Sequence, residues 1–472
     1  MMHSTGPAKP ATSPRRLTRW RLAADLTGLS VALTVALAAC SRPATPPVDA
    51  ALSASVTPSL APEPTPLPTE VPSPTATVPP SLTIASPISA PPTPQPVADL
   101  PIEERRLIFE EVWQTVNDEY LYVDFQGVDW AKLREVYAER IEGTQTREEF
   151  YATMVELVAE LKDNHSRFVP PAAAQAEEIS TSGRETRVGV GVVVQPKPDG
   201  AFIQVVFPES PAARAGLRPR DRIIAVDGRP YVAADGDLQG EEGSSVRLTV
   251  VRPGDKLRDV VVVRQEVRTH IVPYYRRFPG DVGYISIPTL WANDMGEQVS
   301  GALTDLVAAG RLRGVILDVR SNRGGWGEVL NDVLSHFVRG QVGVFFGRHY
   351  VRPLVIEPPA GPDMRGVPLV VLIDGDTASY AEVLAGVLQR EAGALVVGSP
   401  SAGNTETIYA HTLRDGSRLW LAQESFRLQD GTNLEGVGVT PDVPLDTDWT
   451  RFSEEDDPQL LEALRLLGAG PK

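Results

Sequence analysis

A serine at a strand-to-helix junction is the sharpest chemical signal in this chain. The apolar run Pro368 to Ile373 is followed by Asp374-Gly375-Asp376-Thr377-Ala378-Ser379-Tyr380-Ala381-Glu382 and then by a helical pattern. A tight turn there exposes the hydroxyl, and the helix N-terminus stabilises negative charge developing beside it. Ser379 and Glu382 also spell a Ser-x-x-Glu capping box, which needs no catalysis to explain it, so spacing leaves both readings open. A second loop, Asp318-Val319-Arg320-Ser321-Asn322-Arg323-Gly324-Gly325-Trp326, follows another apolar strand pattern. Its paired glycines let backbone N–H groups approach a ligand closely at the start of a helix, which suits an oxyanion hole. The six histidines, His3, His165, His270, His336, His349 and His411, stand singly without ligand spacing. Neither a metal nor an organic cofactor is therefore indicated. One cysteine, Cys40, makes no internal disulfide and no multi-thiolate metal site.

The elements that must position these loops alternate from Asp281 onward. Strand patterns at Val282 to Ile287, Val315 to Leu317, Pro368 to Ile373 and Leu395 to Val397 are separated by helical faces carrying Val299, Leu303, Leu306 and Val307, then Val329, Leu330, Val333 and Phe337. This predicts a layered α/β core over 267–446, in which reactive groups collect in loops at the strand ends, with a C-terminal helix and tail over 447–472. Before it, Ile108, Val112, Val116 and Tyr120 recur at helical spacing, Trp130, Leu133, Val136 and Tyr137 mark a second helix, and Thr146 with Glu149 opens a third. A small N-terminal helical domain over 101–182 follows.

Between them the period is that of strands, and Ser210-Pro211-Ala212-Ala213-Arg214-Ala215-Gly216-Leu217 followed by Asp221-Arg222-Ile223 and Val226-Asp227-Gly228 resembles a PDZ domain of bacterial proteases across 187–266. That resemblance implies capture of a peptide C-terminus, with the Val188-Gly189-Val190-Gly191 loop offering N–H groups to the terminal carboxylate and a strand edge accepting the peptide. A closed β-domain without a ligand is the alternative.

The D-x-R-x-N-x-G-G string and the T-A-S-x-A-E string together resemble the tail-specific, or C-terminal processing, serine protease family from about residue 101 to 446. The resemblance implies a multidomain α/β fold with a core of the ClpP/crotonase-like type. It makes Ser379 the nucleophile, Gly325 and Tyr380 the oxyanion donors, and Gly324 their close-packed partner. The family's lysine base falls at Asn404, which accepts no proton at neutral pH, and its helper glutamine falls at Ile408. Leu161-Lys162-Asp163-Asn164-His165-Ser166-Arg167 and Glu435-Gly436-Val437-Gly438-Val439-Thr440-Pro441-Asp442 are similar to strings of the tricorn-core branch, which implies a Ser379–His165–Glu435 triad. Taken singly, His165 also suits a cation at a helix C-terminus and Glu435 a solvated loop carboxylate. With Glu435 stabilising the imidazolium, a base titrating near ~6.5 is expected to shift upward.

The chain opens with Arg15, Arg16, Arg19 and Arg21 before an apolar stretch from Leu26 to Ala39, a signal-peptide pattern over 1–39. Leu37-Ala38-Ala39-Cys40 resembles a bacterial lipobox and implies a diacylglyceryl group on Cys40. Seventeen of the 43 prolines fall between Ser41 and Leu100, too polar and proline-rich to pack a core, so 40–100 reads as a lipidated start and semi-rigid spacer. The formal charge of −16 argues against a nucleic-acid partner. The expectation is an extracytoplasmic, membrane-anchored serine endopeptidase acting on proteins or peptides with exposed C-termini. The alternatives are an inactive PDZ peptide-binding pseudoprotease and a hydrolase of non-peptide esters or amides.

Overall fold

The computed structural model describes residues 100–163, 165–181, 186–231 and 238–469. The signal-peptide stretch, Cys40 and nearly all of the proline-rich spacer lie outside the described residues. Among the described residues no helix is long and apolar enough to cross a membrane.

The core is a six-stranded sheet in the order Tyr274–Phe278, Val282–Ser286, Gly314–Asp318, Leu369–Ile373, Leu395–Gly398 and Val443–Pro444. Only the first pair is antiparallel. Parallel strands are buried on both faces, and the side chains divide accordingly. Val315, Leu317, Leu369, Val371 and Ile373 pack under the helices Met295–Ala308, Gly327–Ser335 and Tyr380–Glu391, whereas Ile316, Val370, Leu372 and Val397 meet Leu460, Ala463 and Leu464 of the helix Pro458–Leu466. The strands Gly314–Asp318 and Leu369–Ile373 pair in parallel, with Asp318 opposite Leu372. Their trailing loops, the two singled out from sequence, thereby emerge side by side.

A second, antiparallel sheet was not legible in the sequence. Gly340–Gly347, Val351–Ile356, Thr407–Thr412 and Arg418–Leu428 form it together with Arg167–Val169, a short strand contributed by the N-terminal helical region. Helices Ile102–Glu119, Trp130–Gly143 and Arg147–Ala159 bury Ile108, Trp130, Phe150 and Leu157 against Leu419 and Leu421 of that sheet. Thr146 caps its helix as read, with the Glu149 N–H donating to Thr146 Oγ1 at 3.2 Å. Val136 and Val307, expected on buried faces, are exposed, because each lies at the border of its apolar stripe.

The PDZ region is a six-stranded antiparallel sheet with the short helix Pro211–Arg214 capped by Ser210. The chain enters and leaves it through paired strands Thr186–Gly189 and Gln265–Arg268. Gly191, at φ +87°, separates the entering strand from a hairpin of Val192–Lys197 with Gly200–Val206.

Candidate active site

Ser379 sits at φ +57°, ψ −132°, immediately before the helix Tyr380–Glu391. That left-handed backbone is costly for a residue with a Cβ, so the surroundings must enforce it. The enforcement comes from hydrogen bonds to its backbone. Ser379 N–H donates to the Asn404 carbonyl at 2.7 Å and to Glu382 Oε2 at 3.1 Å, while the Ser379 carbonyl accepts from Glu382 N–H at 2.8 Å. The Ser-x-x-Glu capping box read from the sequence is present at this turn, with the Glu382 N–H facing the serine side chain while it donates to the Ser379 carbonyl.

Glu382 is more than a cap. Fully buried, its carboxylate also accepts from Ser401 Oγ at 2.6 Å, Gly403 N–H at 2.7 Å and Asn404 N–H at 2.8 Å. Burial pushes its pKa up, and these donors oppose the shift. One carboxylate thus ties the serine turn to the 401–404 loop.

The glycine loop closes on the serine from the other side. Gly324 has φ +82°, and a Cβ there would lie 2.7 Å from Ser379 Cβ and 2.9 Å from Tyr380 N. No side chain fits. Gly325 is pressed against the Leu290 backbone, and neither its N–H nor that of Tyr380 makes a hydrogen bond among the described residues. Two free amides beside the half-buried Ser379 form an oxyanion site. Asp374 joins the loops, accepting from Ser321 N–H at 2.8 Å, Ser321 Oγ at 3.0 Å and Trp449 Nε1 at 2.8 Å. Asp376 accepts from Lys197 of the PDZ region at 3.0 Å and from Arg323 at 2.9 Å; burial raises its pKa, and these two cations pull it below the usual range.

His165 lies in the turn between the helix Arg147–Ala159 and the strand Arg167–Val169. It lines the same cavity of about 1050 Å³ as Ser379, Gly325, Tyr380 and Asn404. Its backbone N–H donates to Asp163 Oδ1 at 2.8 Å, and Asp163 Oδ2 accepts from Tyr120 Oη at 2.8 Å. The ring nitrogen Nε2 is buried and without a hydrogen-bond partner. Burial lowers the imidazole pKa, opposed by a hydrogen bond with Asn404 and by the charges of Asp163 and Glu435. The expected upward shift is thus reversed, because desolvation of the ring outweighs its anionic neighbours.

Glu435 is half-buried and engaged elsewhere. Its Oε2 accepts from Thr405 N–H at 2.6 Å and Thr405 Oγ1 at 3.0 Å. It acts on His165 through charge rather than through a hydrogen bond. Close by, buried Glu406 accepts from Tyr122 Oη, and burial carries its pKa up to about 7, with the Tyr122 bond opposing and Glu435 and Asp163 reinforcing the shift. Asn404, Thr405, Glu406 and Tyr122 were not singled out as site-builders from sequence, apart from Asn404 as the residue in the lysine's place. The position 25 residues after Ser379 was the available signal.

In the PDZ region a groove of about 260 Å³ is lined by Gly189, Val190, Gly191, Val192, Phe207 and Leu238, among others. Val190 N–H already donates to the Leu238 carbonyl at 3.0 Å, and Val188 and Gly189 pair with Glu266 and Gln265. Gly191 lies between the paired strands, and its amide makes no hydrogen bond among the described residues. Among the described residues no group of three or more His, Cys, Asp or Glu side chains could hold a metal ion.

Comparison with known proteins agrees with this geometry. Residues 281–445 match Peptidase family S41, residues 101–159 the Tricorn protease C1 domain, and residues 202–252 a PDZ domain. Carboxyl-terminal-processing peptidase 2, chloroplastic, of Arabidopsis thaliana is 30% identical over 371 residues, covering 75% of this chain and 71% of its own. The carboxyl-terminal-processing protease of Picosynechococcus is 29% identical over 380 residues, covering 77% and 89%. Among solved structures, the photosystem II D1 C-terminal processing protease superposes with a TM-score of 0.54 at 28% identity, over 78% of this chain and 98% of that one. An S41 protease from Bacteroides fragilis shares the fold at a TM-score of 0.55 and 15% identity, over 76% and 97%.

Proposed function

This chain belongs to the carboxyl-terminal-processing family of serine peptidases, and from that premise we propose that it is a lipid-anchored extracytoplasmic endopeptidase using a Ser379–His165–Glu435 triad. Ser379 Oγ attacks the scissile carbonyl while His165 takes its proton. The carbonyl oxygen, now an anion, is received by the N–H groups of Gly325 and Tyr380. The imidazolium returns the proton to the leaving amine, and water, deprotonated by the same imidazole, releases the acyl fragment. Asn404 holds the ring instead of serving as base. Glu435 favours the imidazolium through its charge.

The observation that carries this reading is that one cavity is lined both by Ser379, on its strained turn beside the unbonded Gly325 and Tyr380 amides, and by His165, whose buried Nε2 has no hydrogen-bond partner. Substrates are polypeptides whose C-terminal tails are gathered by the PDZ region, with Gly191 supplying an amide to the terminal carboxylate. Anchoring rests on the sequence alone, through the Arg-rich start, the apolar stretch and Cys40.

The test is labelling of residues 1–472, in detergent, with a serine-directed fluorophosphonate, beside Ser379→Ala. Labelling that disappears in the variant supports the nucleophile, and labelling that survives it refutes the assignment. Metabolic incorporation of a fatty-acid probe that Cys40→Ala does not abolish refutes lipidation.

A further inference from the structure

The catalytic cavity has an arm that the triad does not use. It is walled by Trp291, Trp326 and Trp420, and Trp420 pairs across the sheet with Arg167, two residues on from His165. Trp291 packs edge-to-face on Trp326 with centroids 4.8 Å apart, and on Trp420 at 6.2 Å. The rings are fixed by their own polar ends, since Trp326 Nε1 donates to the Trp291 carbonyl and Trp420 Nε1 to Glu177 Oε2, both at 3.0 Å. Ile408, on the edge strand Thr407–Thr412, completes the apolar lining.

Trp291 and Trp326 remain only partly buried inside a cleft. Large rings left partly wet in a concave, pre-fixed site give back free energy when an apolar group covers them. The arm's charges do not change that preference. Arg167 and Arg418 lie over Trp420 at 5.2 and 5.7 Å, and both are paired with Glu177 at 3.3 and 3.8 Å. The cations already occupy the ring that a cationic side chain would seek, and their own acidic partner answers them, so an anionic side chain gains little.

We propose that this tryptophan-walled arm is a subsite for a large apolar or aromatic side chain on the leaving-group side of the scissile bond. The side follows from the base, and so rests on the triad reading. The imidazole that protonates the leaving amine must face it, and Arg167, two residues on from His165, pairs with Trp420 of the arm's wall. The cleft thereby selects the released tail by its apolar residues.

Cleavage of peptides carrying Phe, Ala or Asp at each of the first three positions after the cut tests this. The expected preference in kcat/KM for Phe over Ala at one of those positions is about 10- to 100-fold. Trp291→Ala should collapse the ratio, and Trp291→Phe should retain most of it. Equal rates at all three positions, a preference found only before the cut, or a ratio unchanged in Trp291→Ala overturns the subsite. Fluorophosphonate labelling in the same samples separates the two claims: a labelled Ser379 with a flat peptide series rejects the arm alone. Should the unsubstituted protein not label, the same peptides are titrated against Ser379→Ala by tryptophan fluorescence. Tighter binding of the Phe peptides, lost on adding Trp291→Ala, keeps the subsite; equal binding rejects it.

Discussion

The two sides of the active site are built differently. On the nucleophile side, Ser379, Gly324 and Gly325 lie in two loops that leave neighbouring parallel strands, Glu382 lies in the first turn of the helix that follows the serine, and buried partners at 2.6 to 3.1 Å fix the serine turn. On the base side, His165 and Glu435 come from segments 270 residues apart in numbering, each held by a different neighbour, Asp163 and Thr405. The nucleophile side is preorganised, so transition-state charge meets donors that need not move. The base side instead has its protonation set by competition between burial and two carboxylates, Asp163 and Glu435, and that is where pH enters.

The sharpest way to break this contrast is to remove a group from the base side and see whether the nucleophile side works alone. His165→Ala should reduce kcat/KM by about 10³-fold without loss of folding, measured on a tailed peptide, whereas Asn404→Ala should cost less than about 10-fold. Equal losses in both would erase the distinction between base and ring-holder. On the nucleophile side, Glu382→Ala strands three donors in the interior, Ser401 Oγ and the Gly403 and Asn404 amides, while Ser379 N–H keeps the Asn404 carbonyl. It should destabilise the protein by about 3 kcal/mol or more in urea titration and lower activity about 10²-fold. A variant with unchanged stability would show that the serine turn is held by something else.

Smaller effects sharpen the electrostatic half. Because burial lowers the His165 pKa, the neutral base persists below the ordinary histidine range, and the acid limb of kcat/KM should lie under 6.5. Glu435→Gln removes a charge that favours the imidazolium, so the limb should move further toward acid while the plateau falls about 10-fold. A limb that moves upward contradicts this placement of the charge. The smallest effect is on stability alone. Glu406 has its folded pKa raised from 4.5 to about 7, so the folded state binds the proton more tightly. The stability this contributes is complete below 4.5 and is lost as pH rises through about 7. Glu406→Gln should remove that slope in thermal melts recorded between those pH values.

Much of the nucleophile side was legible because its parts are local. A strand pattern, a turn and a helix start lie within about ten residues in each loop, and Ser379, Gly324 and Gly325 could be named from them. The same locality misled over Glu382, whose Ser-x-x-Glu spacing explains one of its hydrogen bonds and none of the three it receives from Ser401, Gly403 and Asn404. His165 and Glu435 came only through resemblance, since nothing in the spacing of a lone histidine and a lone glutamate says that they meet.

By itself the sequence determined the helical, strand-rich and layered α/β regions, the serine turn and the glycine loop, because periodicity, caps and turns act over a few residues, while the PDZ reading came through resemblance. Only the tertiary structure decided that Arg167–Val169 joins a sheet with Arg418–Leu428, which carries His165 to the cavity, and that Thr405 rather than His165 holds the Glu435 carboxylate. It also reversed the direction of the His165 shift. Desolvation is set by every atom packed around a ring, and no stretch of sequence near that ring records them.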